Sequence, residues 1–131
     1  MGHIGYTPQF KKKFKIEGQT RLEINMLMKE ANLVEKAGAF SIVCECLSPE
    51  AAQIITKKIS IPTIGIGSSS YCDGQILVTD DMLGLSGFYP KFVKKYANLN
   101  RTIEKAVKEY SRDVKLKKFP TKNNFLNGTK F

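Results

Sequence analysis

Three observations predict an α/β chain with a parallel sheet and helices packed outside it. Short apolar segments rich in branched residues recur at residues 39–45, 62–66 and 75–79, amphipathic helices with capping signals alternate with them, and glycines punctuate the element ends.

The first helix is expected to begin at Thr20, which with Glu23 makes a capping box. Ile24, Leu27, Met28, Ala31 and Val34 follow helical spacing until Gly38 stops it. Ala39 to Glu45 then reads as a buried strand. Ser48 offers an N-cap with Pro49 at the first helical position, and the helix through Lys58 carries Ala51, Ile54 and Ile55 on one side. Pro62 to Ile66 reads as a second strand, ending among Gly65 and Gly67. A loop of small polar residues, Ser68 to Asp73, leads to a third strand from Gln75 to Thr79. Short helical pieces are expected near Asp81 to Leu85 and Pro90 to Tyr96. A last helix from Arg101 to Lys117 places Ile103, Val107, Tyr110 and Val114 on one face, and the segment from Phe119 onward has no period. Residues 1–120 are therefore expected to form one folded body and residues 121–131 an irregular tail. A barrel of eight βα units takes about 250 residues, so this chain of 131 residues supplies about half of one, with two open sheet edges.

Composition narrows the function classes. With 42% hydrophobic residues the chain can bury a core, and it contains neither a run of about 18 apolar residues nor a charged-then-apolar leader. The expectation is a cytoplasmic protein without a membrane partner. Three cysteines, Cys44, Cys46 and Cys72, imply no disulfide framework, and with His3 as the only histidine a zinc site lacks ligands. The net charge of +9 raises nucleic acid as a partner. However, the lysines fall in separated clusters (Lys11 to Lys13, Lys57 with Lys58, Lys94 with Lys95, Lys117 with Lys118) without interleaved aromatic rings, as solvated faces do.

In a βα barrel, functional groups sit at the C-terminal ends of strands. Glu45 follows the apolar run Ser41-Ile42-Val43-Cys44. A carboxylate there either accepts a proton from a substrate or is held by a neighbouring donor. Gly65-Ile66-Gly67-Ser68 could admit a ligand close to the backbone, or could be a plain strand-to-loop turn. It is neither a P-loop nor a dinucleotide fingerprint. Asp80 and Asp81 could hold a metal but fit capping of a helix better. His3 is an acid–base candidate by type and a mobile surface group by position.

Taken together, several segments resemble the ketopantoate hydroxymethyltransferase family. Met1-Gly-His-Ile-Gly-Tyr-Thr-Pro-Gln9 resembles that family's Gly-His-Ile-Gly-Leu-Thr-Pro-Gln motif, and Phe14-Lys-Ile-Glu-Gly-Gln19 its Tyr-Lys-Val-Gln-Gly-Arg. Gly38 to Cys46 is similar to the strand bearing the family's catalytic glutamate. Ile61-Pro-Thr-Ile-Gly-Ile-Gly67, Cys72-Asp-Gly-Gln-Ile-Leu-Val78, Asp81-Met-Leu-Gly84 and Pro90-Lys-Phe-Val-Lys94 follow in the family's order. The resemblance implies the C-terminal half of a (β/α)8 TIM-type barrel. It implies transfer of a one-carbon unit from 5,10-methylenetetrahydrofolate to 3-methyl-2-oxobutanoate, giving 2-dehydropantoate for pantothenate biosynthesis. It also implies Glu45 as proton acceptor, with His3, Gly65, Gly67 and Ser68 facing the substrate, and a homo-oligomeric assembly.

The same resemblance assigns Mg2+ to the enzyme but no metal ligand to this chain, because the family's metal carboxylates lie in the first half of the barrel. That half is expected from a second polypeptide. Asp80 stands where the family commonly has His, Ser68 and Ser69 replace an Ala-Gly pair, and Asn123-Asn124-Phe125 replaces a terminal Glu-His-Ser-Phe pattern. Three readings follow: one half of a split enzyme, a truncated remnant without activity, or a basic binding module. The first and second explain a retained Glu45, and the third explains only the charge.

Overall fold

The computed structural model of the chain describes residues 1–10 and 15–125. The lysine cluster 11–13, the first residue of the Phe14 to Gln19 segment and tail residues 126–131 lie outside the described residues. Met1–Val78 with Pro90–Val93 makes one compact unit, and Thr79–Tyr89 with the chain from Lys94 onward makes another.

The first unit is a parallel sheet of four strands in the order β1 (Gly2–Gly5), β2 (Ile42–Glu45), β3 (Thr63–Ile66) and β4 (Gly74–Gln75). Helix α1 (Arg21–Lys36) connects β1 to β2, and α2 (Pro49–Lys58) connects β2 to β3. Side chains alternate across a strand, so Ile4, Ile42 and Cys44 share one face. There they meet Ile24, Leu27 and Ala31 of α1 and Ala51, Ala52 and Ile55 of α2 in a single apolar cluster. The opposite parity places His3, Val43, Glu45, Ile64 and Ile66 on the other face.

Both helices start as their caps predict. Thr20 Oγ1 accepts from Glu23 N at 3.2 Å, although the returning Glu23 carboxylate takes the Gln19 N–H at 2.7 Å instead of that of Thr20. Past the end of α1, Gly38 adopts a φ of +87°, which lets Ala39 N reach back to Val34 O at 3.3 Å. Ser48 Oγ accepts from Ala51 N at 3.1 Å and donates to Gly18 O at 2.5 Å, so the α2 cap also ties down the segment entering α1.

A polar staple fastens the edge strand. Asp73 Oδ2 accepts from both the N–H and the hydroxyl of Thr63 at 2.8 Å, and Thr63 Oγ1 in turn accepts from Asp73 N at 3.1 Å. Thr63 spends its single hydroxyl proton on Asp73, so Thr56, 2.9 Å away on α2, must be the donor in their contact. These bonds account for a fully buried Thr63 within an apolar layer. They also hold the Asp73 carboxyl below the usual carboxylate range, chiefly through the Thr63 N–H.

Several expectations need correction. Four strands form among the described residues instead of three, because Gly2–Gly5 pairs with β2; a four-residue strand bounded by glycines carries too little periodicity to be read. The strand expected at Ala39 to Glu45 begins only at Ile42, with Phe40 73% exposed. The strand expected from Gln75 to Thr79 is two residues long. After Ile76 N reaches Gly65 O at 3.0 Å, Ile76 and Val78 stand half exposed, and helix α3 (Thr79–Leu83) begins. Without a neighbour on its outer side among the described residues, that segment has no ladder to extend. No helix forms at Pro90 to Tyr96; Val93 N bonds Pro90 O at 2.9 Å in a turn, and the Phe92 ring lies against Gly67.

The second unit holds α3 and α4 (Leu99–Lys115). Asp80 and Asp81 fall in the first turn of α3 and not at its cap, and Asp81 Oδ1 accepts from Ser86 Oγ at 2.5 Å. The expected face of α4 exists, but Ile103, Val107, Tyr110 and Val114 are 43–59% exposed. Phe119 packs edge-on against Tyr110, with ring centroids 5.6 Å apart.

Replacing the fully buried Ile55 by Ala is expected to cost about 2–5 kcal/mol of unfolding free energy in urea titration, the usual range for such a cavity. A cost below about 1 kcal/mol, typical of surface sites, would place the core elsewhere. The Asp73 staple predicts a pH dependence. Because the folded-state value is lowered, its contribution is present above the unfolded-chain value of about 3.9 and is lost as pH falls through the folded value. The melting-temperature gap between wild type and Asp73→Asn should therefore be open at pH 7 and close in strong acid; a gap independent of pH would remove the staple.

Candidate active site

Glu45 ends the central strand, on the face opposite the helices and at the C-terminal edge of the sheet. Its backbone is fixed on both sides. Glu45 O accepts from Tyr6 N at 2.9 Å, and the next residue, Cys46, donates its N–H to Ile66 O at 2.9 Å and accepts from Glu17 N at 2.8 Å. Cys46 has a φ of +55°, a left-handed conformation that a non-glycine residue rarely adopts. This turn ends β2 abruptly and leaves the Glu45 carboxylate at the strand end.

The residue itself is only 9% exposed, and a buried carboxylate needs a donor. His3 supplies one, with Nε2 3.0 Å from Glu45 Oε2. Parallel pairing explains the meeting: His3 aligns with Val43 and Gly5 with Glu45. His3 thus lies two residues, about 7 Å of strand, below the level of Glu45, on the same face, and the two side chains span that gap. With Nε2 as donor to the carboxylate, a neutral imidazole keeps Nδ1 as its acceptor.

The glycine-rich turn after β3 borders this edge. A side chain at Gly65 would meet the Gln75 amide at 2.8 Å and the Cys72 thiol at 3.2 Å, and one at Gly67, whose φ is +59°, would meet the Phe92 ring at 2.7 Å. Ser68 Oγ donates to Cys44 O at 2.6 Å and accepts from Leu47 N at 3.0 Å, bridging the residues on either side of Glu45 and Cys46.

The cysteines differ in their surroundings: a hydrogen bond from Cys44 lowers the Cys72 thiol to about 7, whereas the other two are raised. All three are buried and free. Burial, followed by the charges of Glu45 and Glu17, pushes the Cys46 thiol up to about 11. A hydrogen bond with Cys72 and then burial raise Cys44 well above the usual thiol range. Among the described residues no group of three or more His, Cys, Asp or Glu side chains could hold a metal ion, and no helix is long and apolar enough to cross a membrane.

Of the residues singled out from the sequence, the structure brings His3, Glu45 and the Gly65 to Ser68 turn to one end of one sheet. It places Asp80 and Asp81 in the other unit. The Glu45–His3 contact has no local sequence signal, because it depends on strand β1, whose four residues are too few to show a period. The left-handed turn at Cys46 carries no sequence signal, since cysteine is an ordinary strand residue.

Residues 1–122 match the family described as "Ketopantoate hydroxymethyltransferase". Three relatives, each named 3-methyl-2-oxobutanoate hydroxymethyltransferase, illustrate the similarity. The protein of Thermotoga maritima is 50% identical over 128 residues, covering 95% of this chain and 47% of the relative. That of Pelagibacter ubique is 45% identical over 124 residues, covering 95% and 48%, and that of Clostridium botulinum 49% identical, covering 92% and 45%. The chain spans about half the length of the curated relatives it matches. With a family match over nearly the whole chain, joined to a buried glutamate and its histidine at the strand ends, this chain belongs to the ketopantoate hydroxymethyltransferase family.

Proposed function

We propose that this chain is the C-terminal half, over residues 1–120, of a (β/α)8-barrel hydroxymethyltransferase that moves a one-carbon unit from 5,10-methylenetetrahydrofolate to 3-methyl-2-oxobutanoate. The observation that carries the reading is the buried Glu45 carboxylate held 3.0 Å from His3 at the C-terminal ends of parallel strands, in a chain of this family. Catalytic groups of βα barrels occupy that edge.

In this reading Glu45 takes the proton from the carbon beside the ketone. The C–H electron pair becomes the enolate, and the enolate carbon then bonds the one-carbon unit, whose two carbon–nitrogen bonds to the folate break, one giving way to the new carbon–carbon bond and the other to the oxygen of water. One water is consumed overall; its oxygen becomes the hydroxyl of 2-dehydropantoate, and tetrahydrofolate is released. His3 orients the carboxylate through Nε2, and the Gly65 to Ser68 turn, with the backbone of β3 drawn close to Gln75, Cys72 and Phe92, borders the strand end on which Glu45 sits. Mg2+ belongs to the family's chemistry, but the described residues do not fit a metal centre, so its ligands are assigned to the other half. The parallel β1 to β4 sheet is half the strand count of a closed barrel, and the relatives are about twice as long. The partner proposed is a polypeptide supplying the first half of the barrel, working in the cytoplasm in a homo-oligomeric assembly.

The test is formation of 2-dehydropantoate from 3-methyl-2-oxobutanoate, methylenetetrahydrofolate and Mg2+, by the chain alone and mixed with a polypeptide supplying the first half. Activity is expected only in the mixture; a folded but silent mixture would leave a family remnant without catalysis. In the active mixture Glu45→Gln should lower turnover by at least about a hundredfold, the usual scale for a general base, and unchanged turnover would remove Glu45 from the mechanism.

A further inference from the structure

We infer that the Ser68 hydroxyl is a positioning group for Glu45: by clamping the backbone on both sides of the left-handed turn at Cys46, it holds the Glu45 carboxylate against His3. The inference rests on the reading of Glu45 as proton acceptor.

Ser68 leaves β3 just as β2 ends beside it, and its hydroxyl has both roles filled. The proton goes to Cys44 O at 2.6 Å, and a lone pair receives Leu47 N–H at 3.0 Å. Both partners are backbone atoms and both flank the Glu45-Cys46 pair, so the hydroxyl closes a short ring over that peptide. Cys46 inside the ring has a φ of +55°, a conformation that costs about 1–2 kcal/mol for a residue with a Cβ. Such strain persists only where surrounding contacts over-determine it, and it clusters where a side chain must be aimed. Here the contacts are Cys46 N to Ile66 O at 2.9 Å, Glu17 N to Cys46 O at 2.8 Å, and the Ser68 clamp.

Of these contacts only the clamp depends on a side chain, so it alone can be removed without touching the backbone ladder. Without it, Cys44 O and Leu47 N lose the hydroxyl that joins them, and the turn can relax toward ordinary strand geometry. Glu45 would then rotate about its backbone and its carboxylate would leave the position fixed by His3 Nε2. Misplacement of a catalytic group by about 1 Å can cost up to about a hundredfold in rate. The Ser68 hydroxyl, with its proton on Cys44 O, serves the substrate through Glu45 and not by direct contact.

Two measurements test this. In the chain alone, Ser68→Ala should accelerate amide hydrogen exchange at Leu47 by about tenfold or more, a difference of about 1.4 kcal/mol in opening free energy, while the amides of Ala31 and Ile55 keep their protection. Unchanged exchange at Leu47 overturns the clamp. In the active mixture, Ser68→Ala should lower kcat by about tenfold to a hundredfold with KM for 3-methyl-2-oxobutanoate within about twofold. Ser68→Thr, which keeps a hydroxyl, should recover most of that loss, and Ser70→Ala on the exposed side of the loop should change nothing. A Ser68→Ala enzyme with wild-type kcat, beside an inactive Glu45→Gln, overturns positioning and leaves Glu45 as base. Raised KM with unchanged kcat also overturns it, because that pattern belongs to substrate contact. Wild-type turnover in Glu45→Gln removes both readings together.

Discussion

The parallel pairing of β2 with strands on both sides is the constraint on which the rest depends. Ile42–Glu45 bonds β1 in one direction and β3 in the other, and its inward side chains Ile42 and Cys44 are fully buried against the helices. A strand held on three sides has one register, because a slip of one residue would turn Ile42 and Cys44 out and Glu45 in. That single register brings His3 and Glu45 to the same face, and it places the glycine-rich end of β3 beside the end of β2.

Energetics at the strand end follow from this frame. A left-handed Cys46 costs about 1–2 kcal/mol, whereas each hydrogen bond that holds it contributes about 0.5–1.5 kcal/mol net. Two backbone bonds and the Ser68 bridge therefore outweigh the strain. The result is a carboxylate that is nearly buried yet has a donor in His3, which offsets its desolvation. The high thiol value at Cys46 comes from the same crowding: burial first, then two carboxylates nearby.

Much of the remaining surface has the character of a piece of a larger assembly. Strands β1 and β4 are the two edges of the sheet among the described residues, and an edge left open invites pairing. The sheet face bearing His3 and Glu45 also bears Val43, Ile64 and Ile66, which are only partly buried. Helix α4 exposes an apolar stripe of Ile103, Val107, Tyr110 and Val114. These features accord with a chain about half as long as its relatives.

The sequence by itself determined the capped helices α1 and α2, the apolar strands β2 and β3 and the candidate role of Glu45, because caps, 3.6-residue periods and β-branched runs are local signals. Its motifs also determined the family, since several distinct segments follow in order. Other features were decided only by tertiary structure. Strand β1 exists because β2 offers it a ladder, and the expected strand from Gln75 to Thr79 shrinks to Gly74–Gln75 because nothing among the described residues pairs with its outer side. The exposure of the α4 stripe depends on what is packed against it, which periodicity cannot express. The meeting of His3 with Glu45, 42 positions apart, and the clamp from Ser68 across the turn at Cys46 are contacts between distant segments. Their geometry is set by strand register and backbone dihedrals, quantities that no single residue's chemistry encodes.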